Sequence, residues 1–392
     1  MSLRYRSDGN ALHIYLAGRI DSSNAKETLD EALALVQQNK ASTVVLDCEQ
    51  LEYLSSAGLR MVLQLRKAVD EVSIVDASPS VYEVFEMTGF TEMLPITKAL
   101  RKLSVDGCEV IGEGANGVVY RYDPETVVKV YRNPCSLLEI KRERELARRA
   151  FILGVPTAIP YDIVRVGNLY GSVFELLEAT PVSKLIASGE LTVEEAADMM
   201  VGLLHQIHQT QLPTEGMVDK REDALDWARF IAPHLDASLA ERLLELISQI
   251  PQPNTMLHGD YHVKNVVVQN GESLIVDMDT VGFGHPVLEL AGMYSAYVGY
   301  GEADGTVISD FLGIPLEAAH ELWQLQLKRY LNDADEATIR AIEEKAMVIS
   351  ATRVIRRCIQ HEEMDADLRR RLFAIHRARL ETLVPRIDSL AF

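Results

Sequence analysis

The apolar pattern changes character near Leu103, and that change constrains the fold more than any other feature of the chain. Before it, strand-like and helix-like runs alternate. Ala11 to Ala17 alternates with bulky residues, Asn24 to Gln38 carries Leu29, Ala32, Leu33 and Val36 at helical spacing, and Ser42 to Asp47 is a short β-branched run. The same grammar continues with a helical stripe over Gly58 to Val69, a strand over Val72 to Val75 and a helix over Ser80 to Met87. Strands alternating with helices imply a sheet with helices packed on it, so residues 1–102 are expected to form an α/β unit. After Leu103, Cys108 to Tyr131 reads as three strands joined by a glycine-rich turn and the turn signal Asp123-Pro124. No helix intervenes, so the pairing there is expected to be antiparallel. Leu137 to Leu153 is a charged amphipathic helix, Tyr161 to Glu178 returns to strands, and helical patterns dominate from Thr192. Residues 103–392 are therefore expected to hold an antiparallel lobe (103–178) and a helical lobe (179–392), joined to the first unit by a short junction near Ala99 to Val105.

Composition narrows the function classes. Apolar residues make up 47% and charged residues 25% of the 392, enough apolar material for packed cores. The net charge of −19 is unevenly shared: −3 on residues 1–102 and −16 on residues 103–392. Phosphate backbones repel a surface of that sign, which disfavours nucleic acid as a partner. Cys48, Cys108, Cys135 and Cys358 are far apart with no CxxC or Cys/His pairing, so neither a disulfide framework nor a zinc site is expected. Met1 to Asn10 has no apolar core of signal-peptide length, and no long uncharged apolar run occurs. A cytoplasmic protein with no membrane span is the expectation.

The run Gly112-Glu113-Gly114-Ala115-Asn116-Gly117 lies between two strand-like stretches. Glycines let a loop fold tightly and bring backbone amides up to phosphate oxygens. Because Val118 onward is β-branched, this GxGxxG fits a kinase type of loop better than one that opens a helix; a plain glycine-rich hairpin is the bland alternative. Lys129 sits in the apolar strand Val127 to Tyr131. Two readings of it are open: an edge-strand charge that snorkels to water, or a cation for the α/β-phosphates of ATP held by a glutamate of the next helix, Glu143 or alternatively Glu145. The deciding stretch is His258-Gly259-Asp260-Tyr261-His262-Val263-Lys264-Asn265, followed by the strand Leu274-Ile275-Val276 and Asp277. An Asp with an Asn five residues later can set a carboxylate at an attacking hydroxyl and an amide oxygen on a metal, while an Asp at a strand end supplies the main metal carboxylate. Mg²⁺ prefers such hard oxygens.

With those residues in order, 103–392 resembles the aminoglycoside phosphotransferase and choline kinase group of the protein-kinase-like α+β fold. Its HGDxHxxN signature is matched by His258, Gly259, Asp260, His262 and Asn265. The resemblance implies Asp260 as catalytic base, Asn265 and Asp277 as metal ligands, Lys129 and Glu143 as the phosphate-holding pair, and Phe174 to Leu177 as the hinge that meets adenine. ATP-binding residues are then Gly112, Gly114, Asn116, Gly117, Lys129, Glu143, Glu175 and Leu177, with ATP and Mg²⁺ as cofactors. Glu289 departs from the pattern, since the family more often has Asp there, and this bears on the support of the metal loop.

The first unit resembles a STAS domain, the fold of bacterial anti-sigma-factor antagonists, through Leu16 to Asp21, Val44 to Asp47 and Leu54-Ser55-Ser56-Ala57-Gly58-Leu59-Arg60. That family's phosphorylated serine matches Ser56, and its usual preceding Asp is replaced by Ser55. Equally, Ser55 or Ser56 can simply cap the following helix. Three bland features complete the reading: Tyr294, Tyr297 and Tyr300 as a core helix face, His205 and His208 as structural or surface histidines, and Arg369 to Arg371 as a solvated face.

The whole chain is thus expected to be an ATP- and Mg²⁺-dependent phosphotransferase with a STAS module for regulation or docking. Seven residues separate Asp277 from His285, too few for a peptide platform, so the acceptor is expected to be a small molecule. The acidity of residues 103–392 suits a cationic one. The alternative is a regulatory protein whose STAS domain binds an anti-sigma-like partner, with the kinase unit sensing nucleotide or phosphorylating a serine.

Overall fold

The computed structural model describes residues 3–114, 116–134, 137–361 and 363–392. Ala115 of the glycine-rich turn and Cys135 lie outside the described residues. The chain divides into two compact units, Met1–Ser104 and Val105–Phe392.

In the first unit the strands Arg4–Asp8, Ala11–Ile20, Thr43–Leu54, Glu71–Ala77 and Ile96–Lys98 lie side by side in chain order. The first pair is antiparallel and the others are parallel, which requires the crossover helices Ala25–Asn39, Ser56–Ala68 and Pro79–Met87 between them. Leu12, Ile14 and Leu16 alternate inward along their strand and meet Val44, Leu46, Ile74, Leu65 and Phe85 in one core. The strand expected at 42–47 runs on to Leu54. Register shifts opposite Tyr15/Ala17 and Gly18/Arg19 change the spacing, so that Cys48, Leu51 and Leu54 are buried three apart and no period of two is left to read. Gly58 is required by packing: a Cβ there would sit 2.4 Å from Leu54 Cδ1.

The second unit opens with the antiparallel strands Glu109–Glu113, Gly117–Arg121 and Thr126–Tyr131, then the helix Leu137–Ile152 and the strands Pro160–Val166 and Leu169–Glu175. Thr126–Tyr131 pairs with Gly117–Arg121 on one side and Leu169–Glu175 on the other, so Lys129 is in an interior strand and the edge-charge reading of it falls away. Beyond this sheet the unit is mainly helical. Val193–Gln209 starts with a capping box between Thr192 and Glu195, and Lys220–Ile231, Ala237–Ser248, Val287–Tyr297, Leu316–Tyr330, Glu336–Gln360 and Ala366–Leu383 follow. Their core contains Trp323, Tyr261 and Tyr297; truncating an aromatic side chain of this kind to Ala costs about 3–5 kcal/mol. Tyr294 and Tyr297 are core residues, as their spacing predicts, whereas Tyr300 falls beyond the end of their helix, in the turn Gly299–Gly301, and is only partly buried. Among the described residues no helix is long and apolar enough to cross a membrane.

Two short loops carry the residues of interest out of this scaffold. One connects Glu109–Glu113 to Gly117–Arg121; the other runs from the two-residue strand Met256–Leu257 to the hairpin Val266–Gln269/Glu272–Ile275. The expected strand over 274–276 is the end of that hairpin.

Candidate active site

Lys129 and Tyr131 project from the same face of their strand, two residues apart, toward the helix Leu137–Ile152. Lys129 Nζ donates to Glu143 Oε1 at 2.8 Å and lies 2.9 Å from Asp277 Oδ1. Tyr131 donates its hydroxyl to Glu143 Oε2 at 2.6 Å, so both oxygens of this buried carboxylate are held. Burial works against the Lys129 ammonium, but the charges of Glu143 and Asp277 outweigh it and hold its pKa well above the usual lysine range. Glu145, the alternative partner, instead pairs with Arg148 and Arg149 on the outer face of the helix.

The glycine-rich turn is closed by Gly114 N–H donating to the Gly117 carbonyl at 3.0 Å. Gly117 cannot be replaced freely, because a Cβ there would lie 2.4 Å from the Val130 carbonyl oxygen of the next strand. Gly114 has open space around it, and Gly112 has ordinary contact with Val119. Asn116 reaches across to Asp279, Nδ2 to Oδ2, at 3.4 Å.

Asp260 sits on a loop pinned from several sides. Glu289, fully buried on the helix Val287–Tyr297, accepts the backbone N–H of His258 at 2.5 Å and that of Gly259 at 2.9 Å. Thr280 donates its hydroxyl to the His258 carbonyl at 2.7 Å. Gly259 has φ +85° and a Cβ there would be 2.6 Å from the Thr280 carbonyl oxygen, so conformation and space both require glycine. Asn265 donates Nδ2 to the Asp260 carbonyl at 2.9 Å and to Asp260 Oδ2 at 3.3 Å, which leaves its Oδ1 as the uncommitted atom. His262 Nε2 is 3.3 Å from Asp260 Oδ2. Burial raises the Asp260 pKa, but the His262 hydrogen bond and the charges of His262, Arg353 and His258 win and hold it well below the usual carboxylate range. Glu289 is also held low: burial opposes its charge, and His208, His258 and the Gly259 amide outweigh burial. His208 Nε2 stands 3.8 Å from Glu289, at ion-pair rather than hydrogen-bond distance, and its Nδ1 meets the Tyr330 hydroxyl at 2.7 Å. His208 is thus a structural histidine of this loop support.

Asp277 follows the hairpin in the left-handed region, φ +64°, which turns its carboxylate toward Lys129. Two residues on, Asp279 has its pKa pushed up to about 7, by burial first and by the Asp277 charge second. Asp279 escaped the motif reading, although the pair Asp277-Met278-Asp279 after a strand was a signal for it. Among the described residues no group of three or more His, Cys, Asp or Glu is arranged to hold a metal. Asn265 Oδ1 and the Asp277 carboxylate are hard oxygen donors, of a kind that suits an ion such as Mg²⁺, which takes one or two protein carboxylates and completes its shell with phosphate oxygens and water.

The remaining expected residues lie at the end of the strand Leu169–Glu175 and in the other unit. Glu175 ends its strand and accepts the Ile159 N–H on its side chain at 3.3 Å; Leu177 follows, half-buried. In the first unit Ser55 is the N-cap of Ser56–Ala68, accepting the N–H groups of Ala57 and Gly58 at 3.1 and 3.4 Å. Ser56 is the first helical residue and is exposed. The cap and the phosphosite candidate are therefore different serines.

A family model described as phosphotransferase enzyme family matches residues 107–338, and a STAS domain model matches residues 2–103. A Bordetella bronchiseptica protein named as an anti-sigma factor antagonist, BtrV, is 40% identical over 88 residues, 21% of this chain and 75% of that protein. An anti-sigma F factor antagonist of Paenibacillus polymyxa is 28% identical over 105 residues, 24% of this chain and 87% of that protein. The ADP-bound crystal structure of aminoglycoside phosphotransferase APH(2'')-Ib is 17% identical, with a TM-score of 0.48, covering 79% of this chain and 99% of its own.

Proposed function

The chain belongs to the phosphotransferase enzyme family through its second unit, a protein-kinase-like fold, and carries a STAS domain as its first; from that premise we propose that it transfers the γ-phosphoryl group of ATP to a hydroxyl of a small molecule. The observation that carries the reading is that Glu143 and Asp277, from distant parts of the chain, both lie within hydrogen-bond distance of Lys129 Nζ, in the same unit as the pinned Asp260 loop. In this reading Asp260, ionised and half-exposed, orients the acceptor hydroxyl. The hydroxyl oxygen attacks the γ-phosphorus, its proton passes to the Asp260 carboxylate, and the bond to the leaving ADP oxygen breaks. Lys129, held by Glu143, fixes the phosphates, and the amides of the Gly112 to Gly117 turn cover them. Asn265 Oδ1 and Asp277 would hold Mg²⁺, which supplies neutralising charge to the phosphate oxygens when bound. Glu175 and Leu177 would border adenine.

The STAS unit acts as the regulatory module, with Ser56 as its candidate phosphosite and an anti-sigma-like protein as its candidate partner. Support for Ser56 is its exposure at a helix N-terminus, where added negative charge is stabilised, while Ser55 takes the capping role. A cytoplasmic setting is in keeping with the free thiols at Cys48, Cys108 and Cys358, and the net charge of −19 speaks against nucleic acid as acceptor.

The test is an ADP-release screen of hydroxylated small molecules with Mg²⁺ and ATP, with intact-protein mass and peptide mapping on the same samples. ADP release that depends on one acceptor and is lost in Asp260→Ala supports transfer to a small molecule. Phosphate appearing on Ser56 with no acceptor-dependent release would instead make the protein itself the acceptor.

A further inference from the structure

A cavity of about 180 Å³ opens beside the Asp260 loop, walled by Gly259, Thr280, Glu289, Lys220, Trp227 and Arg353. Its charges are not equally available. Glu289 is engaged by the N–H groups of His258 and Gly259. Lys220 donates to Asp223, also on the wall, at 3.1 Å, so these two satisfy each other. Arg353 is different. It projects half-buried from the long helix Glu336–Gln360, and among the described residues its guanidinium has no carboxylate at ion-pair distance and no hydrogen-bond acceptor. The Trp227 ring lies beside it, with its centre 5.6 Å from the guanidinium carbon. A partly desolvated guanidinium without an acceptor is unfavourable, and an oxyanion that paired with it in the plane of its N–H groups would remove that penalty. Its positive charge also reaches Asp260.

Resting on the reading that Asp260 receives the acceptor hydroxyl, we propose that the acceptor enters this cavity with an oxyanion, a carboxylate or a phosphate, on Arg353 and its carbon frame against Trp227. The acidity of the unit as a whole suggests a cation instead. That field is spread over the surface and fades within a Debye length of roughly 8 Å, whereas Arg353 acts at contact distance, so the local charge decides. The cavity carboxylates that could hold an ammonium are already committed, Glu289 to the loop and Asp223 to Lys220.

Four polyols that differ in charge at one end test this: gluconate, sorbitol 6-phosphate, sorbitol and glucamine. Each is titrated by calorimetry into the full chain with Mg²⁺ and a non-hydrolysable ATP analogue, for the native protein and for Arg353→Met and Arg353→Lys. One or both anions should bind the native protein about 10- to 100-fold tighter than sorbitol, with glucamine weakest. Which anion wins separates a carboxylate site from a phosphate site. Arg353→Met should bring anion and sorbitol to the same affinity, and Arg353→Lys should keep part of the preference. Tightest binding of glucamine, equal affinity across the series (no binding by any of the four included), or an anion preference that survives Arg353→Met overturns the site. ADP release, followed in parallel, reads transfer and not charge recognition. Anion binding lost in Arg353→Met without any release would overturn the transfer reading and keep the site, and glucamine-dependent release would do the reverse.

Discussion

The two loops that carry the candidate residues are built in opposite ways. The His258 to Asn265 loop is tied by side chains from distant parts of the unit: Glu289 holds its first amides, Thr280 its first carbonyl, and the Tyr297 hydroxyl accepts the Val263 N–H at 3.1 Å. The glycine-rich turn follows the largely exposed strand Glu109–Glu113 and, among the described residues, is held by backbone bonds to its own hairpin and the next strand and by one long side-chain bond, Asn116 to Asp279. A group that must present a carboxylate at one point gains from a rigid mount, whereas amides that wrap phosphates gain from a segment that can adjust. Rigidity here is thus a property of the chemistry each loop serves in the proposed reaction.

If that contrast is right, damage to the first loop should be severe and damage to the second graded. Asp260→Ala is expected to lower kcat on the order of 10²- to 10⁴-fold, read from steady-state ADP release. Next in size, Glu289→Ala leaves two buried N–H groups without an acceptor and should cost roughly 2–4 kcal/mol in denaturant unfolding. A loss below about 0.5 kcal/mol would mean the loop is not held from that helix.

Within the glycine-rich turn Gly114 and Gly117 should separate. Gly117→Ala pushes a methyl into the Val130 carbonyl and is expected to cost about 1–3 kcal/mol. Gly114→Ala meets open space and should stay within about 0.5 kcal/mol of the native protein. Equal losses at both would show that the turn is as tightly built as its partner. The smallest effect lies in the STAS unit, where Ser55→Ala should cost about 1 kcal/mol by loss of the cap and Ser56→Ala less than about 0.5 kcal/mol, both read from thermal unfolding.

What could be read in the sequence follows the same division. The Asp260 loop was legible as a candidate because its residues are contiguous and their spacing carries the pattern. Lys129 was legible as an odd charge in an apolar strand, but whether that strand was interior or edge depended on pairing with Leu169–Glu175, forty residues on. Ser55 and Ser56 could not be told apart by type, since the cap is decided by which residue first takes helical dihedrals. The support of the loop was hidden more deeply. Glu289 looked like a mere departure from Asp, yet its carboxylate is what the loop amides bind. Trp227 and Arg353 lie on helices more than a hundred residues apart, on ordinary amphipathic patterns, and nothing in their local sequence marks them as one wall.

The division of labour between Asp260 and Asp277 is the centre of the account, and equilibrium titration of Mg·ATP into Asp260→Ala and Asp277→Ala tests it most directly. Asp260→Ala should bind Mg·ATP with nearly native affinity, because in the proposed reaction that carboxylate serves the acceptor and not the nucleotide. Asp277→Ala should bind it about tenfold or more weakly, because the proposed Mg²⁺ loses its main carboxylate and Lys129 loses one of the two that position it. Equal affinity in the two variants would contradict the assignment.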